Sequence, residues 1–183
     1  MADAARTRQR ILDTALELFT ERGFAGTSVA DLAGRLGTSK AALYHHFRSK
    51  HEILAALLDT PTQRFDELVT QAPRLTDEQL LGRVVDLTAE LSPVAGMLDG
   101  DPSVHAAQRE QLRDRSRNIN EALTAALVSA PGDTDARLQA HAAYAVAKHG
   151  THAAVTDLGT AELPATRRAT LVSAALRALH PPA

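Results

Sequence analysis

Apolar residues recur at helical spacing along most of this 183-residue chain, and this pattern predicts a protein built from helices alone. In the first predicted helix, residues 6–22, the apolar positions Ile11, Ala15 and Phe19 share one face. Gly23 follows directly as a helix-ending glycine. Ala and Leu dominate the composition, whereas β-branched residues are scattered, which also favours helix over sheet.

Two short helices joined by a tight turn are predicted after the first helix. Thr27 and Ser28 open the second helix, and Gly37 breaks it. Ser39 then caps a third helix at residues 40–47. Two short helices with a glycine turn, behind a longer supporting helix, form the outline of a helix-turn-helix.

Five longer helices are predicted in the rest of the chain, at residues 50–71, 77–91, 102–128, 134–158 and 165–179. Pro61 lies inside the first of these and predicts a kink or a break, because proline removes a backbone hydrogen bond. Pro93, Gly96 and Gly100 predict that residues 92–101 are broken around a short helical turn. With that turn, the chain is predicted to contain about nine helices.

Residues 7–54, TRQRILDTALELFTERGFAGTSVADLAGRLGTSKAALYHHFRSKHEIL, carry a pattern that resembles the N-terminal domain of the TetR family of repressors. The features that match are Ile11, Ala15, Phe19, Gly23, Thr27, Val29, Leu32, Ala33, Gly37, Ser39, Leu43, Tyr44, Phe47 and Lys50. The resemblance implies an all-α protein, with a three-helix DNA-binding domain at residues 1–50 and a helical ligand-sensing and dimerising domain at residues 51–183. It further implies a transcriptional repressor that a small molecule releases from a palindromic operator.

The third predicted helix holds the side chains expected to read DNA. Lys40 can donate to guanine O6 and N7, and Ala41 can contact a thymine methyl group. By resemblance, Tyr44 and His45 reach bases or phosphates. Lys50 is expected at a phosphate. The full set of expected DNA-binding residues is Thr27, Ser28, Thr38, Ser39, Lys40, Ala41, Tyr44, His45 and Lys50.

Some of these residues have a purely structural interpretation. Thr27 and Thr38 can act only as caps of their helices, while Tyr44 and Phe47 can belong to the core. Between these alternatives, we expect Phe47 in the core, and the Tyr44 ring on the domain surface with its hydroxyl at a phosphate.

The distribution of charge supports a polyanionic partner for the N-terminal part. Residues 1–50 contain eight Lys and Arg against five Asp and Glu, whereas residues 51–183 contain twelve against seventeen. A basic head on an acidic body favours contact between the head and nucleic acid.

Other classes of function are disfavoured by what the sequence does not contain. The chain has no cysteine, which excludes disulfides and thiolate chemistry, and no apolar run approaches the ~18 residues of a membrane span. No nucleophile elbow or phosphate-cradling loop is present. We therefore expect a soluble cytoplasmic protein that is not an enzyme and has no cofactor and no membrane partner.

The part expected to sense a ligand contains few aromatic residues. Phe65 and Tyr144 are its only aromatic residues, and Met97 and Leu68 add apolar surface. A pocket lined mainly by Leu, Val and Ala favours a small, largely apolar effector. The expected ligand-binding residues are Phe65, Leu68, Met97 and Tyr144.

Three histidines in the predicted helix 134–158 suggest an alternative. His149 and His152 are three residues apart and can chelate one ion, but His141 lies ~12 Å from His149 along the axis. A metal-responsive regulator using His149 and His152 is one alternative, and a DNA-coating protein without ligand control is another. We predict no metal site and interpret the three histidines as polar positions at the surface of a dimer interface or a pocket.

The last two predicted helices are rich in alanine, interleaved with Val and Leu. Small residues permit close helix packing. By resemblance, residues 134–179 pair with the same helices of a second subunit to form a homodimer.

Overall fold

The computed structural model describes residues 2–100, 106–130, 132–159 and 162–182, and all regular structure in these ranges is helical. The α-helices are α1 (Ala2–Arg22), α2 (Val29–Leu36), α3 (Lys40–His46), α4 (Lys50–Gln71), α5 (Asp77–Gly100), α6 (Ala106–Ala126), α7 (Thr134–Ala145), α8 (Thr151–Leu158) and α9 (Ala165–Leu179). A 3₁₀ turn (Ala72–Arg74) follows α4, and a π-helical turn (Val146–Gly150) joins α7 to α8. The predicted all-α class is confirmed, and the helix count is close to the expected number.

The chain divides into two compact units. The N-terminal unit comprises Met1–Pro61 with Pro93–Arg109, and the C-terminal unit comprises Thr62–Ser92 with Glu110–Ala183. The three divisions fall inside α4, α5 and α6, so each of these helices contributes residues to both units.

The N-terminal unit is held by large apolar side chains from α1, α2, α3 and α4. Phe19, Leu32, Leu43 and Leu54 are almost completely buried, and Phe47 is buried at the end of α3, as expected. Phe24, in the turn after α1, meets the Phe19 ring edge to face, with ring centroids 5.2 Å apart. Burial of each such side chain stabilises the fold by roughly 1.5–3 kcal/mol.

The turn between α2 and α3 depends on one glycine. Gly37 has a φ of +64°, a left-handed conformation that a side chain disfavours. Its N–H group bonds to the Gly34 carbonyl, and the Thr38 N–H group bonds to the Ala33 carbonyl. These bonds satisfy carbonyls at the end of α2, so the chain can reverse within three residues, 37–39, before α3 begins.

Alanines allow the helices of the C-terminal unit to approach closely. Ala140 and Ala143 on α7, Ala147 in the π-helical turn and Ala175 on α9 have no exposed surface. They pack with the branched side chains of α5 and α6 in one core, whose most deeply buried larger members are Leu81, Val84, Val85 and Leu123. Part of the alanine-rich pattern of the last two predicted helices therefore packs inside this unit.

Two predicted breaks do not occur. The expected end of α5 at residue 91 is wrong, because the helix continues through Pro93 to Gly100. Val94 is buried directly after Pro93, and its burial offsets part of the roughly 3 kcal/mol that an interior proline costs. Likewise, α4 continues through Pro61 without a break.

The helix predicted at residues 134–158 has the expected ends but an unexpected interior. Gly159 terminates α8 with a φ of +64°. Between α7 and α8 the backbone widens into the π-helical turn, which contains Lys148. Within the parts of the chain that the structure describes, no helix is long and apolar enough to cross a membrane.

Candidate nucleic-acid interface

The third helix, α3, is fixed to the N-terminal unit along one side. Ser39 caps its start by accepting a hydrogen bond from the Ala42 N–H group at 3.1 Å. Leu43 and Phe47 anchor the opposite end in the core. The guanidinium of Arg8 on α1 covers the Phe47 ring at 4.5 Å from its centroid, a cation–π contact.

The other side of α3 is open to solvent. Lys40, Ala41, Tyr44 and His45 are all exposed, and at 100° per residue they span an arc of roughly 140°. Half of the Tyr44 surface is exposed (50%), so this ring is not part of the core. Thr38 and Ser39 are exposed at the start of the same helix. The arrangement offers a continuous exposed strip of donors and small side chains, which are the kinds of group that read base edges in a major groove.

The start of α2 is held by a reciprocal cap. The Ser28 hydroxyl accepts from the Asp31 N–H group at 3.2 Å, and the Asp31 carboxylate accepts from the Ser28 N–H group at 2.8 Å. Hydrogen bonds from Ser28 to this carboxylate lower the pKa of Asp31. This cap fixes the N-terminus of α2, where a phosphate is expected.

Thr27 has an interior position. Its side chain is almost completely buried, and its hydroxyl donates to the carbonyls of Leu18 at 3.1 Å and Gly23 at 2.9 Å. The expectation that this hydroxyl faces a phosphate does not match the structure, because both of its contacts are inside the domain. Thr27 is not the cap of α2 either, because that cap is Ser28; its hydroxyl ties the chain before α2 to the end of α1.

Lys50 also faces inward. Its ammonium donates to the carbonyls of Phe24 at 2.5 Å and Thr27 at 2.8 Å, and lies 4.1 Å from the centroid of the Phe24 ring. This differs from the expected phosphate contact. In this position the lysine links the start of α4 to the turn that precedes α2.

The basic residues at the start of the chain belong to a helix. Because α1 begins at Ala2, Arg6, Arg8 and Arg10 are helical residues. Arg10 lines a small crevice of about 110 Å³ together with Thr38 and His46. No local signal in the sequence reveals the Arg8–Phe47 contact, since its two residues are far apart in the chain.

In the C-terminal unit, a polar cluster lies among the expected ligand-binding residues. The Tyr144 hydroxyl donates to the Asn120 Oδ1 atom at 2.8 Å, and the Lys148 ammonium donates to the same oxygen at 2.7 Å. This ammonium lies 5.9 Å from the centroid of the Phe65 ring and 5.8 Å from that of Tyr144. Burial raises the pKa of Tyr144 and lowers that of Lys148.

The structure thus brings Phe65 and Tyr144 to one ammonium group, with Leu68 in the same core. The Met97 side chain lies outside the described residues. Sequence reasoning missed Asn120 and Lys148. A signal for Lys148 was present, because it is the only charged residue between Arg137 and Asp157 apart from the histidines.

The histidine positions support no metal centre of three or more ligands in the described residues. His141 and His149 are exposed, and His152 is partly exposed.

Comparison with known proteins places this geometry in a family. The model of the family "Bacterial regulatory proteins, tetR family" matches residues 11–57. The HTH-type transcriptional regulator TtgR of Pseudomonas putida is 39% identical over 66 residues, which are 36% of this chain and 31% of that protein. The HTH-type transcriptional repressor Rv3405c of Mycobacterium tuberculosis is 34% identical over 134 residues, 72% of this chain and 65% of that protein.

A solved structure extends the likeness to both units. The TetR family transcriptional regulator PfmR from Thermus thermophilus is 28% identical, with a TM-score of 0.67 over 93% of this chain and 97% of that one. The exposed α3 on its capped two-helix frame defines a helix-turn-helix protein of the DNA-binding class. Residues 11–57 are thus the DNA-binding domain of the TetR family of bacterial regulators, and the fold of both units is similar to that of a regulator of this family. The chain spans about a third of the length of TtgR and just under two thirds of that of Rv3405c.

Proposed function

We propose that the protein is a sequence-specific transcriptional repressor that a small, largely apolar ligand releases from a palindromic operator. In this proposal residues 1–50 bind double-stranded DNA, and residues 51–183 sense the ligand and form a homodimer. The observation that carries it is the exposed strip of α3, in which Lys40, Ala41, Tyr44 and His45 project from a helix whose other side is buried.

The strip has the chemistry of base recognition. Lys40 on the first turn supplies a donor for guanine, Ala41 a methyl group for thymine, and Tyr44 and His45 supply polar atoms for bases or phosphates. The N-terminal turn of α2, capped at Ser28, offers backbone N–H groups to a phosphate. Phosphate contacts fix the register, while the α3 side chains discriminate between sequences.

Dimerisation would supply the second reading helix. Leu138 on α7 has 66% of its surface exposed, and the exposed alanines Ala142 and Ala145 lie on the same side of this helix. An apolar strip of this kind favours a protein partner. A two-fold dimer places two α3 helices on one face of DNA, and half-sites then repeat about every 34–36 Å.

Selection from a random double-stranded DNA library tests the DNA-binding part. We expect an enriched palindrome, bound with a steep salt dependence, because phosphate contacts release counterions. A scrambled palindrome of equal length is the control. Equal binding of both sequences would contradict sequence-specific repression and favour a DNA-coating protein.

A second measurement tests the dimer. Light scattering at micromolar protein concentration should give the mass of two chains, and Leu138→Lys should lower it by placing a charge in the apolar strip. Arg83→Glu, on the exposed side of α5, is the matched control. If the wild-type protein is a monomer and still selects a palindrome, the proposed homodimer through residues 134–179 is wrong.

A further inference from the structure

The ammonium of Lys148 has no carboxylate partner among the residues that the structure describes. Its one hydrogen bond within 3.5 Å goes to the neutral Asn120 Oδ1 atom, and its other neighbours are the rings of Phe65 and Tyr144. The ordinary solution for a half-buried cation is an acidic partner, because withdrawing the charge from water is costly. Three arginines that cross-link helices in the described part of this unit have such partners: Arg64 pairs with Glu90, Arg115 with Asp66, and Arg168 with Asp86.

Hydrogen-bond donors exceed acceptors in this cluster. Asn120 Oδ1 already accepts from the Tyr144 hydroxyl and from Lys148, which occupies both of its lone pairs. Two N–H bonds of the Lys148 ammonium and the amide N–H bonds of Asn120 remain available. The complement of a group rich in donors and poor in acceptors is an anion with several acceptor oxygens.

The surroundings also indicate what the rest of such a ligand is. Phe65 and Tyr144 present aromatic surface to the ammonium, and the buried core with Leu68 and Leu123 continues behind them. Phe65 and Lys148 are both partly exposed, so a molecule can reach the cluster from solvent. An apolar body attached to an anionic head matches both parts of the site.

The backbone at Lys148 is unusual in a way that often accompanies function. Lys148 lies in the π-helical turn between α7 and α8. Such turns are rare and occur frequently at functional sites.

We propose that the effector is a small organic anion with an apolar body, and that Lys148, held in place by Asn120, binds its anionic head. This rests on the proposed function and narrows it, because the largely apolar effector expected from the sequence gains a negatively charged group. Carboxylate is the head-group chemistry used in the test below.

The test is calorimetric titration of the full-length protein, without DNA, with two matched pairs of probes. The pairs are octanoate with octanamide and 4-butylbenzoate with 4-butylbenzamide, each equal in shape and different in charge. We expect at least one carboxylate to bind about tenfold or more tightly than its amide, since a charged partner strengthens a hydrogen bond. The preference should weaken at high salt.

Variants separate this role from a structural one. Lys148→Met keeps an unbranched side chain, one atom shorter, without the charge and should abolish the preference, whereas Lys148→Arg should retain it. Arg83→Met, which removes an exposed cation from α5, is the control and should bind like the wild type. Circular dichroism establishes that each variant is folded. The wild-type comparison between acid and amide stands even where Lys148→Met does not fold.

The outcomes are distinct. Equal binding of acid and amide, binding of neither carboxylate at millimolar concentration, or a preference that survives Lys148→Met would each overturn the proposal. Because no DNA is present, these results do not depend on operator binding. A carboxylate that binds through Lys148 and leaves the affinity for the selected palindrome unchanged would support the anion site and refute its role as an effector site. Failure to select any palindrome would refute the repressor function alone.

Discussion

Arg168 on α9 and Asp86 on α5 form a bidentate salt bridge, with Nε–Oδ1 and Nη2–Oδ2 distances of 2.6 and 2.8 Å. The two residues are 82 positions apart, so the bridge closes a long segment of the C-terminal unit. The carboxylate raises the pKa of Arg168. Gly82 lies under the guanidinium, and a Cβ atom there would come within 2.9 Å of the Arg168 Nη2 atom.

This arrangement predicts a measurable coupling between Gly82 and the bridge. Gly82→Ala alone should change the free energy of unfolding little, because the roughly 1 kcal/mol gained in helix propensity is offset by displacement of the guanidinium. In an Asp86→Ala background the same change should stabilise by about 1 kcal/mol. Asp86→Ala itself should cost only about 0.5–1 kcal/mol, since both groups are about two fifths exposed and screened by water.

Urea unfolding at one fixed protein concentration measures this cycle, because assembly would otherwise shift the midpoint. If Gly82→Ala changes the free energy of unfolding equally in the two backgrounds, the alanine Cβ atom does not displace the Arg168 guanidinium from its salt bridge.

The two lysines near the DNA strip should behave differently. Lys40→Ala is expected to cost about 1–3 kcal/mol on the selected palindrome and to relax the base preference at one position of each half-site. Lys50→Ala should weaken all sequences alike and leave the salt slope unchanged, because the Lys50 ammonium bonds to the carbonyls of Phe24 and Thr27. It should also lower the free energy of unfolding by about 1–2 kcal/mol.

Fluorescence anisotropy over a salt series distinguishes the two roles. A salt slope that falls by about one in Lys50→Ala would place the ammonium at a phosphate after all. For Lys40, an equal loss on cognate and random DNA would reassign it from base reading to phosphate contact.

The cap of α2 predicts a pH dependence. Hydrogen bonds from Ser28 hold the pKa of Asp31 below its ordinary value of 3.8. The folded carboxylate therefore resists protonation more than the unfolded one, and its contribution is present above pH 3.8 and lost as the pH falls through the lower folded value. A carbon-detected NMR titration should give Asp31 a pKa below 3.8, and Ser28→Ala should move it back toward that value. An unchanged pKa in Ser28→Ala would remove the cap as its cause.

Two buried threonines form a matched pair for a stability test. The Thr88 hydroxyl on α5 is buried and has no hydrogen-bond partner in the described structure, whereas the buried Thr151 hydroxyl donates to the Ala147 carbonyl at 2.6 Å. Thr88→Val should raise the free energy of unfolding by about 1 kcal/mol, and Thr151→Val should lower it by a similar amount. Thermal unfolding of both variants checks whether Thr88→Val is the more stable of the two. A Thr88→Val variant less stable than Thr151→Val would mean that the Thr88 hydroxyl has a hydrogen-bond partner in solution.

Local chemistry explains which features the sequence predicted well. The helix caps at Ser28 and Ser39 and the end of α2 at Gly37 use groups only a few residues apart. Both partners of each interaction therefore appear in one short sequence pattern. The buried face of α3, with Leu43 and Phe47, follows from helical spacing in the same way.

Features that depend on distant residues were missed. The inward turn of Lys50 depends on the carbonyls of Phe24 and Thr27, and the Lys148 site depends on Asn120, 28 residues earlier. The continuation of α5 past Pro93 was missed for a related reason. Propensity describes the cost of a proline, whereas the burial of residues around it emerges only from tertiary packing.

The π-helical turn has a consequence for how this protein tolerates changes in length. A turn of this kind holds more residues than the α-helix around it, so removal of one residue from Val146–Gly150 can convert it to ordinary helix. Val155 would then keep its place in the interior. The same deletion within α7 would rotate one side of the helix by 100° relative to the other and expose Ala136 or Ala140. A tolerance for gained or lost residues, which most proteins confine to their loops, is therefore available in the middle of a helix.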